Sequence, residues 1–295
     1  MLETWSRRDL LKFGAVTVPI AAIGLRSNAN LNTGHEEEQN AGAAGGQAPT
    51  AARIVPDIFP TQPPELVREM VMVSHYDLKR VKELVEARPS LARAAWDWGF
   101  GDWEDALGAA SHMGNRVMAE YLISKGARPT IFSATMLGQL DVVKNFIAAQ
   151  PGAQAIRGPH SISLLAHARV GGQEARPVFD FLQSLPDSDT EAPVNLSEEE
   201  TKTLLGTYVF GGGSSEQITV DANLKMYAGS KMYTYLPQLN WTRKGTMGRP
   251  LFHLGDRTFC PAGAPSARVR FTRDSAGVLM TVTDAEFVLT ARRQV

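Results

Sequence analysis

Three histidines in the middle of the chain are the first candidates for metal binding. His112 and His167 fall on predicted short helices, and His160 falls on a predicted loop. A metal site that is visible in sequence usually has a second ligand one helical turn away, and none of the three histidines has one. The spacing therefore predicts histidines that pack within the fold and no metal site.

Nucleophilic catalysis also has few candidate residues. The sequence contains no Ser-x-x-Lys and no Gly-x-Ser-x-Gly motif. Its single cysteine, Cys260, falls on a predicted strand, and the sequence fixes no histidine beside it. A small cysteine in that position is typical of core packing. We therefore expect a protein that is not an enzyme and uses no cofactor.

The segment from Trp96 to Trp103 has the most unusual composition in the chain. It reads WDWGFGDW, with aromatic side chains at Trp96, Trp98, Phe100 and Trp103 and two glycines between them. Large aromatic residues dominate the energetic centres of protein interfaces, so the segment predicts a finger that binds a protein partner. The alternative is that the rings fold back over a neighbouring helix pair and are buried there.

Composition and charge exclude one class of partner. The 295 residues include 30 Lys and Arg and 31 Asp and Glu, for a formal net charge of −1. Nucleic-acid binding draws on a clustered basic surplus, so we expect no nucleic-acid partner. With 43% hydrophobic residues, the chain can form about two domains, while its oligomeric state stays open.

A helical repeat carries most of these residues. Between residues 102 and 147 a short helix of small residues, a glycine and a second amphipathic helix occur twice, with Gly114 and Gly138 as the glycines. A degenerate unit precedes these two, and a weaker one follows them. Pairs of helices this thin bury their apolar faces only when they are stacked.

The repeat resembles a known family. Residues 105–110, DALGAA, stand where the ankyrin repeat has its TPLHxAA block, and residues 138–144, GQLDVVK, resemble its GHLEVVK segment. The resemblance implies a short, irregular ankyrin-type array over residues 62–186 that binds a protein partner.

The N-terminal residues have the pattern of an export signal. Arg7 and Arg8 lie in SRRDLLK, which resembles the twin-arginine motif, and an apolar run too short for a good membrane span follows. We expect a signal peptide over residues 1–29, export to the periplasm or cell envelope, and membrane contact only through an uncleaved signal. Residues 30–61 are rich in Asn, Gly, Ala and Gln and are expected to form a flexible linker.

From residue 203 the period of the apolar residues changes to two. Alternating segments separated by Gly, Asn, Asp or Pro predict an antiparallel β-barrel of about eight strands over residues 203–295, after a linker and short helix over 187–202. The segments LGTYVF and RVRFTRDSAGV resemble the lipocalin-like domain that follows the catalytic domain of serine β-lactamase-like hydrolases. That catalytic domain has no counterpart here, so the resemblance implies a positioning or interaction module.

The barrel suggests a second possible function. Barrels of this kind can hold a small apolar molecule, with Tyr208, Tyr227, Tyr233 and Phe252 as candidate lining residues. The same rings could equally fill the barrel as its core. Trp241 and Arg243 are expected on a long loop at the barrel rim.

Together the patterns predict a multidomain α plus β fold, in which a short irregular ankyrin-type helical array is followed by an antiparallel β-barrel. The favoured function is an exported, non-catalytic scaffold that binds a protein partner through the array. The alternatives are binding of a small apolar ligand in the barrel and a role accessory to an envelope hydrolase.

Overall fold

The structure, a computed structural model, describes residues 59–188, 196–211, 216–222, 239–244, 246 and 248–294. These residues belong to one unit that spans Val55–Val295. The predicted signal, most of the predicted linker, and both Tyr227 and Tyr233 lie outside the described residues.

Four consecutive pairs of short helices form the first half of the described chain. They are α1 (Pro64–Val73) and α2 (Leu78–Ala87), α3 (Ala106–His112) and α4 (Arg116–Ser124), α5 (Ile131–Met136) and α6 (Leu140–Ala149), and α7 (Leu164–Val170) and α8 (Arg176–Gln183). Short polar side chains at Asp77, Asp105, Asn115, Thr130 and Ser163 accept hydrogen bonds from the first-turn backbone N–H groups and so define where five of these helices begin.

The first helices of the last three pairs, α3, α5 and α7, pack against one another. Their small residues allow this close approach, which a larger side chain would prevent. Gly114 follows α3 with φ 69°, and Gly138 follows α5 with φ 76°. A Cβ on these glycines would lie 2.4 Å from the Val170 carbonyl oxygen and 2.2 Å from that of Glu174. The helices on either side of Gly114 and Gly138 therefore lie where the sequence pattern predicts them. The assignment of these helix pairs to the ankyrin type stays a proposal.

The aromatic segment forms a small hairpin between the first and second helix pairs. Strands β1 (Ala95–Asp97) and β2 (Trp103–Asp105) pair antiparallel, with Trp96 opposite Glu104. Gly99, Phe100 and Gly101 all have positive φ in the turn. The glycines therefore serve a tight reversal of the chain.

A closed antiparallel barrel of eight strands forms the second half and confirms the predicted β-barrel. Helix α9 (Glu198–Leu204), with a capping box between Ser197 and Glu200, leads into it. The strand order is β10-β3-β4-β5-β6-β7-β8-β9. The strands are β3 (Gly206–Phe210), β4 (Gln217–Asp221), β5 (Leu239–Arg243), β6 (Arg249–Gly255), β7 (Thr258–Pro261), β8 (Arg268–Asp274), β9 (Gly277–Thr283) and β10 (Val288–Arg293).

The placement of Trp241 and Arg243 on a rim loop was wrong. Both lie on β5, which pairs with β4 on one side and β6 on the other. Three consecutive residues of this strand, Leu239, Asn240 and Trp241, are buried. The alternation of buried and exposed residues that marks a strand in sequence is therefore missing here.

Side chains from the strands fill the described part of the barrel interior. Tyr208 is fully buried, its hydroxyl donates to the Leu204 carbonyl oxygen at 2.8 Å, and its ring packs edge-on against Phe271. Leu251 also belongs to this core, so the next residue, Phe252, faces the other side of the strand. These placements fit the core interpretation of Tyr208, and the ligand prediction stays open for Tyr227 and Tyr233.

None of the helices in the described part of the chain has the length and apolar character needed to cross a membrane.

Candidate metal centre

Four potential metal ligands converge beside the β1–β2 hairpin. His75 comes from the connection between α1 and α2, Glu104 from β2, His112 from the end of α3, and His160 from the short 3-10 turn before α7. One ligand atom from each residue lies within 4.8 Å of the ligand atom of every other. Folding therefore brings together four side chains that are dispersed over three helix pairs and the hairpin.

Glu104 lies at the centre of the cluster and is buried. Its Oε1 accepts a hydrogen bond from His112 Nε2 at 2.7 Å and lies 3.5 Å from His160 Nε2. Its Oε2 accepts a hydrogen bond from the Trp98 indole at 2.7 Å and lies 3.5 Å from His75 Nε2. All three imidazoles thus present Nε2 to one carboxylate.

The other ring nitrogen of two histidines is bound to an acceptor. His75 Nδ1 donates to the carbonyl oxygens of Val71 and Met72, at 3.1 and 3.0 Å. His160 Nδ1 donates to Asp102 Oδ2 at 2.8 Å. Acceptors in this position fix the ring orientation and favour the tautomer whose Nε2 lone pair can bind a metal.

Electrostatics favours a charged imidazole at His160 beside a charged carboxylate at Glu104. Burial disfavours the charge on His160, but its interactions with Asp102 and Glu104 outweigh burial and raise its pKa to about 9. Burial likewise disfavours the charge on Glu104, but hydrogen bonding to His112 and the contact with His160 hold the pKa of Glu104 well below its usual range. Burial lowers the pKa of His112, which is therefore neutral and donates to Glu104.

Asp102 supports His160 in two ways. Its Oδ1 accepts the backbone N–H of His160 at 2.9 Å, and its Oδ2 accepts the ring Nδ1. Burial disfavours the Asp102 charge, but His160 and Arg249 outweigh this and lower the pKa of Asp102. His160 and the next residue, Ser161, both have left-handed backbones, with φ of 58° and 62°. Because non-glycine residues rarely adopt this conformation, the turn needs such support.

The donor set suits a divalent transition-metal ion. Three imidazole nitrogens and one carboxylate oxygen are ligands that Zn²⁺ and its neighbours in the first transition row accept. With metal–ligand bonds of about 2.0–2.1 Å, tetrahedral ligand atoms lie about 3.3 Å apart. The 3.5 Å distances, from Glu104 Oε2 to His75 Nε2 and from Glu104 Oε1 to His160 Nε2, are each close to that separation. To bind, the ion would have to open the short His112–Glu104 hydrogen bond and displace the protons that His112 and His160 carry on Nε2.

The prediction that His112 and His160 only pack within the fold missed this cluster. Along the sequence no second ligand lies one helical turn from either residue, and the fold supplies the ligands from other elements. His75 and Glu104 were not among the candidates. The only sequence signal was the position of Glu104 among aromatic residues, and its acidic neighbours Asp102 and Asp105 gave no reason to expect it to be buried. His167 does pack as expected, because it is fully buried and its Nδ1 donates to the Ser163 carbonyl oxygen at 2.8 Å.

Three of the four aromatic residues proposed to bind a partner have contacts within the molecule. Trp96 and Trp98 pack against the core of the first helix pairs, and Phe100 lies 5.7 Å from Trp241, centroid to centroid. Trp103 is 64% exposed. The partner-binding prediction therefore rests on Trp103.

No protein-family model matches this chain, and no curated protein matches it. The resemblances to ankyrin repeats and to lipocalin-like domains therefore stay predictions.

Proposed function

We propose that this protein is an exported, non-catalytic interaction scaffold whose helical half is held together by one divalent metal ion of the zinc class. The ligands are His75, Glu104, His112 and His160. The observation that carries the proposal is the convergence of three Nε2 atoms on one carboxylate, with the Nδ1 atoms of His75 and His160 bound to acceptors. A metal ion at that point would replace the weak 3.5 Å contacts with coordinate bonds.

The number of ligands supports a structural role for the ion. Structural zinc sites are closed by four protein ligands, whereas catalytic sites keep one position for water or substrate. Here four candidate ligands are available, and each comes from a different element. An ion bound to all four would cross-link the first helix pair, the hairpin, α3 and the turn before α7. This supports the non-enzymatic part of the proposal.

The metal can be tested directly on the purified full-length protein. We expect elemental analysis to find one equivalent of a first-row transition metal per chain, or one equivalent of Zn²⁺ to bind after chelation and raise the melting temperature. Glu104→Gln should abolish both results, because it removes the only anionic ligand. His253→Gln, which changes a histidine in the barrel, is the control and should bind Zn²⁺ as the parent does. A parent protein that neither contains nor binds Zn²⁺ would mean that the cluster is only a hydrogen-bonded network.

The scaffold part of the proposal is supported by the exposed indole of Trp103 at the edge of the hairpin. An exposed tryptophan on a short, braced hairpin offers a large contact area at small entropic cost. We expect Trp103→Ala to lose a protein partner that the parent captures from the cell envelope. Val288→Ala, at an apolar position of the barrel that is 66% exposed, is the matched control and should retain it. If the parent captures no partner, or if both variants keep it equally, the docking role of Trp103 is ruled out.

A further inference from the structure

A charged side chain at the start of strand β6 lies next to the candidate metal centre. Arg249, at the start of β6, donates from one guanidinium nitrogen to Asp102 Oδ2 at 2.9 Å and from another to the Trp98 carbonyl oxygen at 2.7 Å. It also donates to the Ala262 carbonyl oxygen within the barrel. The guanidinium therefore bridges the hairpin of the helical half and the barrel.

Asp102 connects this bridge to a metal ligand. Its Oδ2 accepts from both Arg249 and His160 Nδ1, and its Oδ1 accepts the His160 backbone N–H. The Asp102 side chain is only 2% exposed, so water does not compete effectively for these oxygens. A partner that orients a ligating imidazole in this way typically changes metal affinity by about 10- to 100-fold when it is lost.

A second segment of the barrel, around Gly263, packs against Asp102 and the turn that contains His160. Gly263, in the connection between β7 and β8, donates its N–H to Ser161 Oγ at 2.8 Å. It has φ 75°, and a Cβ there would lie 2.1 Å from Asp102 Cγ. The barrel thus contacts both the carboxylate that orients His160 and the left-handed turn that carries it.

We propose that the β-barrel completes the metal centre, with Arg249 as a positioning residue that orients His160 through Asp102. This inference rests on the proposed metal site. Because one set of contacts serves both the ligand and the junction of the two halves, metal binding and barrel docking stabilise each other. That coupling is reciprocal by thermodynamic necessity.

The test compares Zn²⁺ affinity and the visible absorption spectrum of the Co²⁺ form in full-length variants. We expect Arg249→Gln to weaken Zn²⁺ binding by about 10-fold, the lower end of that range, because Arg249 acts on His160 only through Asp102. The Co²⁺ spectrum should also change, since Asp102 Oδ2, which accepts from His160 Nδ1, loses its second partner. Arg249→Lys keeps the positive charge but cannot donate to Asp102 and the Trp98 carbonyl oxygen from two fixed nitrogens. It should therefore recover part of the Zn²⁺ affinity that Arg249→Gln loses. Arg292→Gln is the matched control. It breaks a 2.8 Å ion pair with Asp274 elsewhere in the barrel and should leave both readouts unchanged.

A measurement on the parent protein covers the case in which Arg249→Gln fails to fold. Zn²⁺ should slow hydrogen exchange in the segment that contains Ala262 and Gly263, although no ligand lies in that segment. Unchanged exchange there would overturn the inference. So would an Arg249→Gln variant with parental Zn²⁺ affinity and Co²⁺ spectrum. In both cases the metal site itself would stand if Glu104→Gln still abolished binding, whereas a parent that binds neither ion would remove both proposals.

Discussion

His167 shows how burial without a charged partner determines the behaviour of a single residue. Its imidazole lies on α7, fully buried, with one hydrogen bond to a carbonyl oxygen and a contact with the Phe132 ring. Burial lowers its pKa to about 4. His160, in the turn just before α7, is also largely buried, yet the carboxylates of Asp102 and Glu104 raise its pKa. The partners, more than the depth of burial, separate the two histidines.

The pKa of His167 predicts a contribution to acid denaturation. An unfolded histidine has a pKa of about 6.5, so the unfolded chain takes up a proton that the folded chain rejects as the pH falls towards 4. The stabilisation is complete above about pH 6.5 and is lost progressively below it. We expect the free energy of unfolding of His167→Gln to fall less steeply than that of the parent between these pH values. Urea unfolding of both proteins in chelator checks this, and parallel curves would contradict it.

No pattern of single residues along the chain pointed to the cluster of four candidate ligands. His112 and His160 were recognised as candidates, but their ligand partners depend on how helix pairs stack and where the hairpin folds. Glu104 became a candidate only because β2 turns it inwards, beside Trp98. Ligands that come from separate elements leave no periodic signal in the chain.

At the level of elements, the glycines that follow the first helices control how closely the pairs pack. Gly114 touches the backbone of α7, whereas Gly126, after α4, has φ 93° and no atom within 4 Å of its Cβ position. Gly126→Ala should therefore cost only the left-handed backbone penalty, about 1–2 kcal/mol.

Gly114→Ala adds a collision with the Val170 carbonyl oxygen to that penalty. We expect a further loss of about 1–3 kcal/mol in the free energy of unfolding, measured by urea titration beside Gly126→Ala. Equal losses would show that α7 can move away from α3 without cost.

The elements were more predictable than the site. The sequence of small-residue helix, glycine and amphipathic helix located α3 to α6, and alternation located β3, β4, β8 and β9, because each pattern follows from one buried face. Strand β5 was not predicted, because three of its consecutive residues are buried and it shows no alternation. Strands β1 and β2, with three residues each, are too short to show a period.

At the level of the whole molecule, the hairpin joins the two halves. Phe100 packs against Trp241 and Phe287 of the barrel half, while Trp103, three residues later, is exposed. The sequence placed the two halves in order but contained no indication of this contact.

Phe100→Ala should therefore lower the free energy of unfolding by about 1–3 kcal/mol, below the range for a fully buried phenylalanine. Trp103→Ala should change it by no more than about 0.5 kcal/mol. Urea unfolding followed by circular dichroism measures both. A loss in Trp103→Ala as large as that in Phe100→Ala would mean that the exposed indole also supports the fold.

The position of Arg249 late in the chain determines when its contact with Asp102 can form during synthesis. All four proposed metal ligands emerge from the ribosome before residue 249 has been made. The nascent helical half therefore contains its histidines and Glu104 while Asp102 still lacks its guanidinium partner and the Gly263 segment. Only the finished chain contains every contact around His160, so a ribosome that stops early releases a chain with the ligands but without the support that aligns them.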